Sequence, residues 1–162
     1  LDPLGTAPMQ NNQRGELVVT SLADDVAPLV RYRTDDLIEY TNEPCSCGRT
    51  HGRFKPIGRK GDEMLIGGRS ILPLDIFPLM GRFPETHAGL FQLVRPQREA
   101  DRLTLRVAYD PAIATGSLDD LARRIEDHLA TALRVPVTVQ LLTHEEILRN
   151  GPPTKIPRVV KS

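Results

Sequence analysis

In the N-terminal part of the chain, apolar residues come in short β-favouring runs, each closed by a cluster of turn formers. Segments 16–22 (ELVVTSL), 28–33 (PLVRYR), 36–42 (DLIEYTN) and 54–58 (FKPIG) are expected as strands, with the knuckle 43–53 (EPCSCGRTHGR) before the last. From Arg59 onward the pattern changes. Segment 63–74 (EMLIGGRSILPL) predicts a hairpin turning at Gly67 and Gly68, and Pro73 opens a short helix. Two strands are expected at 88–95 (AGLFQLVR) and 102–110 (RLTLRVAYD). In 117–133 (SLDDLARRIEDHLATAL), Leu118, Leu121, Ala122, Ile125, Leu129 and Leu133 fall on one helical face. Ser117 is the expected N-cap of that helix, with Asp120 three residues on. A strand follows at 135–142 (VPVTVQLL), and Thr143 with Glu146 forms a capping-box pattern for a last short helix ending near Gly151. The fold class is therefore α+β. A small antiparallel β-subdomain, residues 1–58, precedes a compact α/β domain, residues 59–162, built from a β-hairpin and then a β-sheet with about three helices.

Charge removes some functions. Lys plus Arg and Asp plus Glu each number 21, so no net field draws the chain to nucleic acid or to an anionic membrane. No run of eighteen apolar residues is present, and the opening stretch LDPLGTAPMQNNQRGEL has neither the charged nor the apolar region of a secretion signal. A soluble cytoplasmic protein is expected. The two cysteines are too few to staple a secreted scaffold.

Four stretches could carry chemistry, and each has a plain alternative. In 31–37 (RYRTDDL) a carboxylate at a strand edge could accept two hydrogen bonds from a vicinal diol such as ribose, or merely cap backbone amides. In 58–70 (GRKGDEMLIGGRS) the glycines could supply a swivel, or turn geometry alone. Cys45, Cys47 and His51 stand close enough to share a metal but supply three ligands and lack the usual second pair. No metal ligand is assigned on that basis, and zinc stays open. The last stretch, 151–160 (GPPTKIPRVV), sets Lys155 among three prolines in a chain with only four lysines. A solvated surface lysine is the ordinary reading.

Taken together and in order, GEL at 15–17, RYRTDDL, CSCGRTH, GRKGDEMLIGGRSILP and TKIPRVV resemble the C-terminal motifs of phenylacetate-CoA ligases, a branch of the adenylate-forming superfamily. The resemblance covers roughly residues 14 to 161, and ordered motifs are more specific than any one alone. It implies that Asp36, ending a Tyr-Arg-Thr-x-Asp motif begun by Tyr32, holds the ribose hydroxyls of ATP, and that Arg59 reaches the same ribose. It implies a hinge at Gly61, where the family usually has aspartate, and a thiol tunnel for CoA beside Gly67 and Gly68. It makes Lys155 the catalytic lysine, with Lys161 as the second candidate. When a carboxylate attacks an α-phosphate, two anions approach and charge builds on the phosphoryl oxygens, so a positioned ammonium stabilises the transition state beyond the ground state. Prolines at 152, 153 and 157 restrict the backbone beforehand and lower the ordering cost.

The function implied is an AMP-forming acid–thiol ligase using ATP, Mg2+ and coenzyme A on a carboxylic acid of aryl type. The family's Ser/Thr/Gly-rich phosphate loop and its carboxylate pocket belong upstream of these motifs, and no such stretch occurs in these residues. The chain is thus expected to be the C-terminal part of a longer ligase, inactive alone. Its partners would be the missing N-terminal domain, and a homodimer would form through the face so exposed. Transfer to a carrier-protein thiol or another acceptor, and a non-catalytic small-molecule-binding regulatory domain, are the alternatives.

Overall fold

The computed structural model describes residues 1–3, 5–23, 26–149 and 156–161, the side chain of Ala88 excepted. The chain divides into two compact units, Leu1–Gly61 and Asp62–Ser162.

The first unit is an antiparallel sheet of β1 (Arg14–Val19), β2 (Tyr32–Thr41) and β3 (Arg53–Arg59), in that order. Leu37, Ile38 and Ile57 supply its buried apolar side chains. The expected strands 28–33 and 36–42 are not separate. β2 begins at Tyr32 and joins the end of the first run to the second, with Asp35 in a left-handed backbone, φ 59°, and the register with β1 shifting between Glu16 and Val18. The break expected between those two runs is a bulge inside one strand, and Asp is among the residues that tolerate that conformation. Residues 28–31 stay outside the sheet. Their loop is tied back by the Ser21 amide to the Leu29 carbonyl, 2.8 Å, and the Arg31 amide to Thr20 Oγ1, 3.0 Å.

A 3-10 turn, Lys60–Asp62, follows β3. The second unit opens with the short hairpin β4 (Met64–Ile66) and β5 (Arg69–Ile71), then α1 (Pro73–Met80). β6 (Thr86–Val94), β7 (Glu99–Ala100), β8 (Leu103–Tyr109), α2 (Leu118–Leu133), β9 (Val137–Thr143), α3 (His144–Arg149) and β10 (Val159–Val160) complete it. The order β10-β6-β8-β9 makes one sheet and β5-β4-β7 another. β8 and β9 run parallel, as the intervening helix α2 allows, whereas β6 and β8 are antiparallel. Leu121, Ile125 and Leu129 of α2 join Phe91, Leu105 and Ile76 in one buried cluster. Each such side chain contributes roughly 1.5–3 kcal/mol on leaving water.

Helix ends show where local signals held. Thr143 and Glu146 form the expected capping box: the Glu146 amide donates to Thr143 Oγ1 at 3.3 Å and the Thr143 amide to Glu146 Oε2 at 2.7 Å. Ser117 sits at the N-cap of α2 with extended backbone, yet its side chain makes no cap hydrogen bond. The two-residue strands β7 and β10 had no periodic signature to announce them. β10 is held by backbone: the Leu93 amide donates to the Arg158 carbonyl at 2.8 Å and the Arg95 amide to the Val160 carbonyl at 2.7 Å.

Candidate active site

Asp36 and Arg59 are register partners across β2 and β3. Arg59 Nε donates to Asp36 Oδ1 at 2.8 Å, and both side chains remain open to solvent, 65% and 38% exposed respectively. The backbone of Asp36 is set by its neighbour: its amide donates to Thr34 Oγ1 at 3.1 Å, and that hydroxyl donates to the Leu17 carbonyl at 3.0 Å. The bulge at Asp35 sits directly before this aspartate, re-aiming it in the way bulges do. Tyr32, at the start of β2, is half-exposed.

The same sheet holds a buried carboxylate to which sequence reasoning gave no role, although it lies in the GEL stretch. The side chain of Glu16 in β1 is fully buried and accepts from Arg33 Nε at 2.9 Å, from Arg33 Nη2 in a close ion pair, and from Lys60 Nζ at 3.5 Å. Its other oxygen takes the Asp35 amide at 3.3 Å. The Arg33 bond, ahead of Lys60 and the Asp35 amide, holds the Glu16 carboxyl below its ordinary range against the opposing cost of burial. Arg33 in turn donates to the carbonyls of Asp2, Pro3 and Gly5. A charge inside the apolar run GELVV was the available signal, since a carboxylate is seldom buried without partners.

Gly61 closes the first unit. An added Cβ there would meet nothing within 4 Å, and its φ is not left-handed. Gly67 and Gly68 differ: both have positive φ, 55° and 76°, and form the two-residue turn between β4 and β5 that demands them. They line an open groove of about 750 Å³ together with Leu65, Val94, Glu99 and Arg102. The hairpin is braced by Glu63, buried, which accepts from Ser70 Oγ at 2.7 Å and forms a close ion pair with Arg98. Lys155 lies outside the described residues, and Lys161 is exposed just past β10.

No family model matches the chain. It is 36% identical over 108 residues to the phenylacetate-coenzyme A ligase of Thermus thermophilus, an alignment covering 66% of this chain and 24% of that protein. A 2-hydroxyisobutyryl-CoA ligase solved in the postadenylation state with R3-HIB-AMP matches with a TM-score of 0.77 and 27% identity, the match covering all of this chain and 35% of that one. An open conformation of that ligase, bound to 2-HIB-AMP and CoA, matches with a TM-score of 0.70 and 28% identity.

The chain is a phenylacetate-CoA ligase-like member of the adenylate-forming superfamily.

It spans about a quarter to a third of the length of these relatives. Within this phenylacetate-CoA ligase-like chain the α+β fold class stands, with the antiparallel sheet first and the mixed sheets and three helices after it. Of the site residues read from the sequence, Asp36 and Arg59 come together directly, with Tyr32 on the same strand as Asp36. Gly67 and Gly68 share a turn in the second unit. Cys45 and Cys47 bring their sulfurs to 3.0 Å in the loop after β2, but no group of three or more potential metal ligands gathers among the described residues. No described helix is long and apolar enough to cross a membrane.

Proposed function

We propose that the chain is the C-terminal part of an ATP-dependent acyl-CoA ligase that forms an acyl adenylate from an aryl carboxylic acid and then passes the acyl group to CoA. In this reading residues 1–58 end the N-terminal domain and residues 59–162 are its mobile partner domain, a division supported by the two compact units meeting at Gly61 and Asp62. The acyl adenylate and CoA carried by the related 2-hydroxyisobutyryl-CoA ligase support ATP and CoA as substrates here.

The observation that carries the proposal is the exposed Asp36–Arg59 pair. Arg59 fixes one carboxylate oxygen at 2.8 Å, which orients the group while leaving it in reach of solvent. A vicinal diol needs such a fixed, accessible acceptor, and Tyr32 offers an aromatic neighbour on the same strand. Mg2+ would come with the ATP phosphates, the usual way that ion meets a nucleotide enzyme. Lys155 would neutralise the carboxylate and α-phosphate as they meet. The chain just after it is pinned by β10 and by Arg158, whose Nη1 donates to the Gly89 carbonyl at 2.8 Å.

Gly61 is the proposed hinge. Nothing in its surroundings requires glycine, so a second backbone state is the physical reason for one there. Gly67 and Gly68 leave the backbone bare where pantetheine would pass, although their positive φ already accounts for them as turn residues.

The test is ATP–pyrophosphate exchange in the longer protein. Asp36→Asn should lower kcat/KM for ATP by roughly 10- to 100-fold, the range of a lost charge-assisted bond. Lys155→Ala should cost about 10²–10³ in rate, and Lys161→Ala should leave it unchanged. Full exchange by Asp36→Asn, or loss confined to Lys161→Ala, would overturn these roles. Exchange without CoA thioester would point to a carrier-protein thiol as acceptor.

A further inference from the structure

The loop between β2 and β3 carries both cysteines of the chain, and the ligase reading gives them no task. Residues two apart in an extended strand are separated by about 6.8 Å, at the outer limit for a disulfide. Here the backbone is folded instead. Gly48, at φ 80°, donates its amide to the Cys45 carbonyl at 2.9 Å, closing a turn over residues 45–48. The turn swings the two side chains onto one side, where Cys47 Sγ donates to Cys45 Sγ at 3.0 Å. Cys47 is exposed and Cys45 half-buried, so a small reagent reaches the pair from solvent. The Arg53 guanidinium, held by the Glu43 carbonyl at 3.1 Å, adds positive charge at the base of the loop. His51 does not complete a metal set with them, since no three such ligands gather among the described residues.

We propose that Cys45 and Cys47 are a reversible dithiol–disulfide site that closes an intramolecular bridge when it meets a low-molecular-weight disulfide. One protein thiolate attacks a sulfur of the small disulfide and expels a small thiolate, leaving a mixed disulfide. The second cysteine, already in contact, attacks the protein sulfur of that adduct and expels the other half. Two protein thiols lose two electrons and two protons, and one small disulfide becomes two small thiols. The proximity of the second sulfur makes the resolving step effectively intramolecular. So short a ring removes little freedom from the unfolded chain, and an exposed, strained bridge belongs to the readily reduced class.

The experiment equilibrates the chain with graded ratios of oxidised and reduced glutathione, quenches with acid, alkylates the remaining thiols and reads intact mass. The expected result is that both titratable thiols disappear together, that the product has lost two hydrogens and gained no adduct, and that dithiothreitol restores both. Cys45→Ser and Cys47→Ser should each stop at a single glutathione adduct. Accumulation of glutathione adducts on the unsubstituted chain overturns the proposal, as do disulfide-linked dimers. So does a pair of thiols that stays unreactive until a chelator removes bound metal.

Discussion

Replacing Glu16 by glutamine keeps the shape of a buried side chain and removes its charge. In the native chain this carboxylate holds two contacts from Arg33, one from Lys60 at 3.5 Å and the Asp35 amide at 3.3 Å. Glutamine retains one acceptor and turns an NH2 group toward cations. Breaking a fully buried ion pair from one side costs about 3–5 kcal/mol. Arg33 is 36% exposed and Lys60 29%, so water recovers part of their solvation, and a loss near 2–3 kcal/mol is expected. For a cooperative chain of this length that lowers Tm by roughly 5–10 °C. Urea unfolding should show a lower midpoint at unchanged slope. The effect must also depend on pH. Because the folded carboxyl titrates below its unfolded value, the unfolded state binds more protons in the acid range, and Glu16 stabilises the fold above about pH 4.3. That contribution disappears as pH falls through the native pKa. The difference between Glu16→Gln and the parent should therefore be full at pH 7 and shrink toward pH 3. Glu39→Gln, which breaks a half-exposed pair with Arg14 at 3.3 Å, is the control, with an expected cost under about 1 kcal/mol. A Glu16→Gln loss no larger than that of Glu39→Gln, or one equal at pH 3 and pH 7, would refute the buried-charge reasoning.

Two other perturbations separate packing from movement. Ile125→Ala, at a fully buried position of α2 within the main cluster, should destabilise by about 2–5 kcal/mol in urea titration, and a cost below about 1 kcal/mol would mean the helix is not seated as described. Gly61→Ala should change stability by no more than about 0.5 kcal/mol, because its Cβ has open space and its φ is not left-handed, while slowing thioester formation relative to adenylation in the longer protein; a large stability loss would tie the glycine to local structure instead.

Much of the architecture follows from periodicity. The apolar face of α2 is buried at Leu121, Ile125 and Leu129, and Ala122 and Leu133 pack at its margin, while Leu118 stays exposed at the first turn. The hairpin at Gly67 and Gly68 and the capping box at Thr143 were equally local, so a few neighbouring residues determined them. Other features depended on distant partners. The joining of the end of 28–33 to 36–42 in β2 passes through a left-handed Asp35, whose amide is taken by Glu16 nineteen residues earlier. β10 forms because residues 158–160 find the free edge of β6, and two residues carry no period. In the site, RYRTDDL pointed to a carboxylate, but only the resemblance chose Asp36 over Asp35. The structure then gives the two aspartates distinct environments, Asp35 in the bulge and Asp36 opposite Arg59.

Glu16 and Glu63 show why charges were kept where apolar residues would pack as well. Each is a buried carboxylate inside its own unit, one fixing Lys60 and the other fixing the hairpin through Ser70 and Arg98. Replacing such groups with well-fitted hydrophobic ones is often neutral for stability, so their value lies in geometry more than in energy. A swivel requires that both flanks be stiff; otherwise rotation at one residue frays the neighbouring chain instead of turning a domain. Lys60 is held in the first unit, and in the second Arg95 Nη1 donates to the Glu63 carbonyl at 2.9 Å. Gly61 and Asp62 are the two residues between those anchors. The proposed hinge thus has a physical basis of its own: anchored residues on either side, Lys60 held by Glu16 and Glu63 held through its carbonyl by Arg95, restrain the flanks and leave Gly61 to supply the backbone freedom.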